Sequence, residues 1–383
     1  MVFPGMAGDL QPMVTAAVSL RAAGATVEVV AAGCEATVQR TLSSAGVGWR
    51  SLGVTRYPRR LLGKVFIRSR FLALLRSAVQ AGAPDVIWYH TAAAMEYLPW
   101  MRRLAPRATA VAHAHELYDG NRRLRVAQER AIGKAVCWVV PSPDREAVLR
   151  NATGSRAPCW VVPNRALETL ATPASRDGTS AALFRAQGGS PTCSRFIIYQ
   201  GLVAEPRCLL EAVEAFRMLD RPEVGLIVLG ECRDRGFGRR LRQAVAGDPR
   251  VVFADRIPFP EHLRVTIGCE VGLMLYAPTG LNNRLCAPNK LYEYAWCGLG
   301  VVMSNFPHLA AMRKAYGFGS PCDPTDPSEI MAAIVAELDR DVGDRRRAAE
   351  AFLRASPSPL QVYRDIDVFL AGAVGGGEQL TRC

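Results

Sequence analysis

The stretch from Asn282 to Val302, NNRLCAPNKLYEYAWCGLGVV, carries the most information in this chain of 383 residues. Pro288-Asn289 reads as a turn that opens a helix, because proline at a helix start gives up no donor the helix needs. Gly298 closes that helix before an apolar strand from Gly300. The first N–H groups of such a helix stand at the positive end of its dipole and form a ready anion site. Lys290 adds a cation at the same end, and Glu293, one turn on, can accept from both hydroxyls of a ribose. A phosphate cradle and a diol acceptor one turn apart describe a site for a nucleoside diphosphate.

Working outward, short apolar runs alternate with helical stretches. Met1-Val2-Phe3 reads as a stub of strand, followed by a glycine turn through Gly5, Gly8 and Asp9, a helix over about Gln11–Ala23, and a strand over Thr26–Ala31. Further strands are expected at Val86–Tyr89, Ala108–Ala112, Cys137–Val140 and Cys159–Val162. Continuous apolar strands separated by helices indicate a buried parallel sheet. Residues 171–195 are rich in Ser, Thr, Gly, Pro and Ala and read as a linker. A second series starts at Phe196–Gly201 and continues at Gly225–Gly230, Val251–Phe253, Val271–Leu275 and Gly300–Met303. The expected organisation is a doubly wound α/β domain over 1–170, a second over 196–358, a helix over 359–374 crossing back to the first, and a disordered tail over 375–383.

Composition narrows the classes. Hydrophobic residues make up 49% and charged residues 21%, which excludes a disordered or fibrous chain. Lys and Arg number 47 against 35 Asp and Glu, a formal charge of +12 that favours anionic partners. No apolar run reaches the roughly 18 residues needed to cross a bilayer. The start, Met1 to Gly5, lacks the basic and apolar segments of a secretory leader, so a cytoplasmic chain is expected. Its first strand is short enough to suggest a start codon set slightly late. The 11 cysteines show no CxxC pair and no cluster with histidine at ligand spacing. They read as small buried hydrophobes in a reducing compartment, and no metal is expected.

The run from Pro288 to Pro307, PNKLYEYAWCGLGVVMSNFP, resembles the GT-B glycosyltransferases of family 4. It is most similar to the bacterial branch whose second domain carries N…PNKLFEYxxxGxPVVxSxxP. Tyr199-Gln200-Gly201, then Arg207, then Leu209-Leu210-Glu211-Ala212 looks like YxGxxxxxRGLxxLIEA of the same family. The resemblance implies that Arg207 holds the donor diphosphate, a task suited to a guanidinium that pairs bidentately and stays charged. Gly201 would let the backbone pass close to the ligand, and Gly230 ends a strand where the family keeps GxG. Ile257 lies in a segment that looks like the VxFxGxVP strand beside the donor base. Val111 to Tyr118, VAHAHELY, resembles DxHExY and implies that His115 touches the donor sugar; His113 stands in place of Asp, beside Glu116. Val161 to Asn164 resembles the VxNxP end of the first domain.

Two departures are visible. The acid that some members carry eight residues before Glu293 is Leu285 here, which leaves sugar recognition to main-chain donors near Asn283–Asn289. Leu202 replaces an arginine often found after the glycine, leaving Arg207 and Lys290 as the main cations.

The expected fold is therefore GT-B, two Rossmann-like domains facing a cleft. The expected activity is transfer of a hexose from a nucleoside-diphosphate sugar, UDP or GDP, to an acceptor hydroxyl. By resemblance it retains the anomeric configuration and uses no metal or other cofactor. His115, Arg207 and Lys290 would be catalytic. Gly201, Gly230, Ile257, Asn283, Pro288, Asn289, Leu291 and Glu293 would complete the donor site, and Gly8, Asp9, His113 and Glu116 would face the acceptor. That acceptor would be a glycan, a glycolipid or a small molecule.

Arg59 to Leu75, RRLLGKVFIRSRFLALL, mixes cations with Leu, Ile and Phe inside an interval, Arg40 to Arg76, that contains no acid. Such a helix either lies in an anionic membrane interface, on the inner face of the cytoplasmic membrane, or packs on the sheet with its basic face in solvent. No stacking pattern of aromatics and cations points to nucleic acid. A nucleotide-sugar 2-epimerase and a non-catalytic scaffold of the same fold are the two rival readings.

Overall fold

The computed structural model describes residues 1–7, 10–55, 61–171 and 176–375. It divides into two compact units, Met1–Leu167 with the segment from Pro357 onward, and Glu168–Ser356. Each is a wholly parallel sheet. In the first, β1 (Val2–Met6), β2 (Glu28–Gly33), β3 (Gly48–Ser51), β4 (Val86–His90), β5 (Thr109–His113), β6 (Cys137–Val140) and β7 (Cys159–Val161) lie in the order 3-2-1-4-5-6-7. In the second, β8 (Arg195–Gln200), β9 (Val224–Leu229), β10 (Val251–Ala254), β11 (Val271–Met274), β12 (Gly300–Ser304) and β13 (Ser320–Cys322) lie in the order 10-9-8-11-12-13. Both orders reverse direction beside the first strand of their unit, at β1/β4 and at β8/β11. Parallel α/β sheets open a ligand crevice beyond the carboxyl ends of the strands at such a point.

The strands form because their residues are β-branched or apolar on both faces, as a sheet covered by helices on both sides requires. Val224–Leu229 is buried at every position, and Ile197, Leu226, Val228, Phe216, Ile330 and Ile334 meet in one core. In the first unit the closing helix Pro359–Gly375 packs on Gln11–Ala23, with Tyr363, Ile366 and Leu370 buried and the Tyr363 ring 5.9 Å from Trp88. No cysteine among the described residues is in a disulfide, and Cys137, Cys193, Cys208, Cys269, Cys286, Cys297 and Cys322 are buried.

Three expectations need correction. The segment read as a linker over 171–195 contains a helix, Thr179–Ala186, whose Phe184 is fully buried against Phe196, with ring centroids 5.1 Å apart. A Cβ on Gly225 would strike that ring at 2.7 Å, so the glycine of β9 exists to receive it. Ser, Thr and Gly composition marked a helix boundary there, not a tether. Two strands, β3 and β13, escaped the reading because both are short edge strands, one partly exposed and one containing Pro321. The unit boundaries fall at 167/168 and 356/357 rather than at 170 and 358. The expected tail from 376 lies outside the described residues.

Candidate active site

In the second unit the carboxyl ends of β8, β9 and β11 converge on the helix Asn289–Trp296. Gly201 follows β8 with φ +124, and Gly230 follows β9 with φ +159. A Cβ on Gly230 would lie 1.7 Å from the Gly201 carbonyl oxygen, so neither a side chain nor a shift is available there. A Cβ on Gly201 would meet Lys290 Nζ at 3.5 Å. The two glycines thus let two loops pass closely and bring backbone beside an ammonium.

Lys290 is the second residue of its helix and is 8% exposed. Its Nζ stands 4.2 Å from the Tyr199 ring centroid and 5.6 Å from that of Tyr276. Arg207 lies with its guanidinium carbon 4.3 Å from the same Tyr276 ring. Two cations thus share one aromatic platform. Burial, and secondarily the neighbouring Arg207, lower the Lys290 ammonium to about 7. Like charges drawn together in a desolvated place are stabilised by an anion set between them. Arg207 reaches its place on the short turn Glu205–Arg207 and donates to Asn283 Oδ1 at 3.5 Å.

The remaining donor-side residues divide. Pro288 caps the helix in an extended conformation, φ −80 and ψ 143, and Asn289 is the first helical residue. Asn283 fixes its own loop by donating to the Ala277 carbonyl at 3.1 Å and to Thr279 Oγ1 at 3.2 Å. Leu291 is buried and its N–H donates to the Pro288 carbonyl, so it supports the helix start without offering a free group. Ile257 is half-buried in the loop after β10. Glu293 is 6% exposed, and its Oε2 accepts from Gln200 Nε2 at 2.5 Å and lies 3.4 Å from His262 Nε2. Gln200 is itself held by the Thr266 hydroxyl at 2.5 Å. The sequence pointed to Glu293 but not to this clamp, whose members are spread over 93 residues.

In the first unit the ends of β4 and β5 carry imidazoles. His90 ends β4 and is in register with His113 at the end of β5; His115 follows two residues later. All three are buried, with ring centroids at 3.8 Å for His113–His115, 4.9 Å for His90–His113 and 5.4 Å for His90–His115. His90 Nδ1 is 3.1 Å from His115 Nε2. The other ring nitrogens have no hydrogen-bond partner among the described residues. Burial lowers all three below the ordinary imidazole value, His115 to about 3 with the Arg145 cation as a second cause. They are neutral at physiological pH.

Among the described residues these histidines are also the one group able to hold a metal, with ligand atoms within 4.8 Å of one another. Their arrangement fits an ion poorly. Lone pairs lie in the ring planes, and the His113 and His115 planes are stacked at 26°, so their lone pairs run side by side instead of meeting. The Arg145 guanidinium, which donates to the His115 carbonyl, also opposes a second cation. His113 and His115 were legible in the sequence. His90 was not, although a histidine at the end of a neighbouring parallel strand was the available signal. Glu116 is exposed, and Gly8 and Asp9 lie outside the described residues.

The region 13–164 matches the family model described as Glycosyltransferase Family 4. No curated protein matches the chain by sequence. Among solved structures, the chain is similar to HepE of Anabaena, described in complex with UDP and glucose, at 16% identity and a TM-score of 0.74, covering 97% of this chain and 99% of that one. It is similar to the sucrose-phosphate synthase of Thermosynechococcus elongatus, at 17% identity and 0.66, covering 100% and 99%. A protein of Listeria monocytogenes described as a putative UDP-N-acetylglucosamine 2-epimerase matches at 14% identity and 0.64, covering 99% and 97%.

Proposed function

We propose that this chain is a family 4-like glycosyltransferase of the GT-B fold, which transfers a hexose from a UDP-sugar, bound by the second unit, to an acceptor hydroxyl on the first. The observation that carries the reading is the pair of cations, Lys290 and Arg207, gathered at the Tyr276 ring beside a glycine-lined strand end. HepE, bound to UDP and to UDP-glucose, supports uridine as the base.

Each residue then has a task. Lys290, Arg207 and the helix start at Asn289 neutralise the leaving diphosphate, the work a divalent ion would otherwise do. Lys290 takes up a proton as the diphosphate binds. Glu293, with Oε2 fixed by Gln200 and His262, keeps Oε1 for the ribose. His115 meets a substrate hydroxyl as a neutral imidazole. The family stereochemistry, retention, is read from the anomeric proton of the product.

The acceptor side includes the helix Leu61–Gly82, which packs through Phe71, Leu75 and Ala78 and exposes Leu62, Val65 and Phe66 beside Lys64 and Arg70. Cations and exposed apolar groups on one helix suit an anionic membrane surface and a lipid-linked acceptor, and support a peripheral position on such a membrane. Arg59 and Arg60 lie outside the described residues. No described helix is long and apolar enough to cross a membrane.

The test is calorimetry of the wild type and of Lys290→Met with UDP, GDP and dTDP, followed by incubation with UDP-glucose and with UDP-N-acetylglucosamine alone. Micromolar UDP binding lost in the variant is expected. Equal binding by both proteins removes the proposed site, and a changed UDP-N-acetylglucosamine without acceptor makes the protein an epimerase.

A further inference from the structure

We propose that His90 is a positioning residue that fixes the tautomer and ring plane of His115, so that His115 presents Nδ1 as a hydrogen-bond acceptor to a substrate hydroxyl. The inference deepens the reading above and rests on the role given there to His115.

The neutral imidazole has one N–H and one bare nitrogen, and the bond made by one nitrogen decides what the other offers. His115 Nε2 is committed to His90 Nδ1 at 3.1 Å, which leaves Nδ1, buried and without a partner among the described residues, as its one uncommitted nitrogen. In the proposed arrangement the proton of His115 sits on Nε2, and Arg145, which donates to the His115 carbonyl, opposes a charged ring. His115 Nε2–H then donates to His90 Nδ1, and His90 carries its own proton on Nε2.

The geometry that holds this pair is made by the sheet. His90 and His113 are register partners on adjacent parallel strands, so their side chains leave the same face at the same height. His113 stacks on His115 at 3.8 Å and 26°, and Trp88 stacks on His90 at 6.0 Å and 14°. The His90–His115 bond is thus sandwiched between two flat groups that prevent either ring from turning. All four rings are buried, so water does not compete for the bond.

The chain has 5 histidines, which makes the test direct. Full-length protein labelled with 15N in histidine shows, in long-range proton–nitrogen spectra, which nitrogen of each ring is protonated. At pH 7 the wild type is expected to give His115 as one neutral tautomer, protonated at Nε2. His90→Phe keeps a ring but no nitrogen, and His115 should then average between tautomers; His90→Asn returns a polar atom at the Nδ1 position and should restore one tautomer. UDP-glucose turnover should fall by about 10–100-fold in His90→Phe, as for other partners that orient a working imidazole. The UDP dissociation constant should stay within about twofold, because UDP is held by the other unit, and His90→Asn should recover part of the turnover. A wild-type His115 that is averaged, protonated at Nδ1 or charged overturns the inference without any variant. So does an unchanged tautomer in His90→Phe. If His115→Ala leaves UDP-glucose turnover intact, the role of His115 falls instead, while the tautomer result stands or falls on its own spectrum.

Discussion

The two units share a strand order, yet the ends of their central strands carry opposite electrostatics. At β8, β9 and β11 the chain sets two cations against one tyrosine ring and leaves the backbone bare through Gly201 and Gly230. At β4 and β5 it sets three imidazoles that burial keeps neutral. On the proposed reading the charged end takes the leaving diphosphate and the imidazoles meet hydroxyls, at strand ends that coincide in the repeat only at β4 and β11.

The largest effect should come from the charged end. Lys290→Met keeps the apolar stem and removes the ammonium, and should lower kcat/KM for UDP-glucose by about 10²–10³-fold, the usual cost of one group that stabilises developing negative charge. Arg207→Ala should act similarly, while circular dichroism shows the fold intact. Full activity in both variants would erase the contrast between the units and favour a non-catalytic scaffold.

Next in size is the glycine pair. Gly230→Ala puts a Cβ against the Gly201 carbonyl at φ +159, and should destabilise by about 1–3 kcal/mol. That corresponds to about 2–4 °C in Tm per kcal/mol for a unit of this size. Gly24→Ala in the first unit is the control. Its φ is +115 but nothing lies within 4 Å, so it should cost less and leave UDP binding unchanged. Equal losses at both positions would show that backbone conformation alone, not the close approach, governs Gly230.

Much of this was legible in the sequence because it is local. The helix Gln11–Ala23 falls where its periodicity places it, and Pro288 and Gly298 punctuate the helix Asn289–Trp296 as their chemistry requires. What was not legible is what the sheet assembles across distance. The Glu293 clamp joins Gln200, Thr266 and His262 from separate loops, and the Tyr199–Tyr276 platform joins the ends of two strands. His90 becomes a partner of His115 only once β4 and β5 are in register. Thr179–Ala186 was missed for another reason: its composition is that of a loop, and its helix is decided by Phe184 finding the space over Gly225.

Titration should separate the two crevices. The Lys290 ammonium titrates at about 7, and a bound diphosphate raises it, so binding takes up a proton above that pH. UDP affinity should therefore fall as pH rises from 7 to 9, by at most about tenfold per unit for one linked proton, and the slope should vanish in Lys290→Met. The imidazoles give the opposite sign in another observable. They are neutral when folded and titrate near 6.5 when unfolded, so the unfolded chain binds more protons below about 6.5 and stability falls as pH drops through that range. Thermal unfolding between pH 7 and 5 measures it, and His113→Leu should flatten the slope. A UDP affinity that does not change above pH 7 would mean that Lys290 is already charged in the free protein.

The smallest expected effect lies at the surface. In the second unit the exposed large apolar side chains, Leu202, Met218, Leu281, Tyr316 and Val342, are scattered singly. In the first unit Leu62, Val65 and Phe66 fall within two turns of one helix, exposed by 84%, 58% and 60%. Arg70 lies over the Phe66 ring at 5.6 Å, so a cation that would face lipid head groups accompanies the ring that would enter the acyl boundary. Arg68 contributes less, being paired with Glu96 at 3.0 Å. Phe66→Ser should weaken partition onto vesicles containing anionic lipid by about fivefold, ~1 kcal/mol for a ring that is only partly inserted. Met218→Ser, on the other unit, should change nothing, and added salt should weaken the wild type by screening the cations. Because the helix is anchored elsewhere, through Phe71, Leu75 and Ala78, neither substitution should shift Tm. Identical vesicle binding by wild type and Phe66→Ser would leave the basic helix as a solvated face, with its apolar turn covered by something other than lipid.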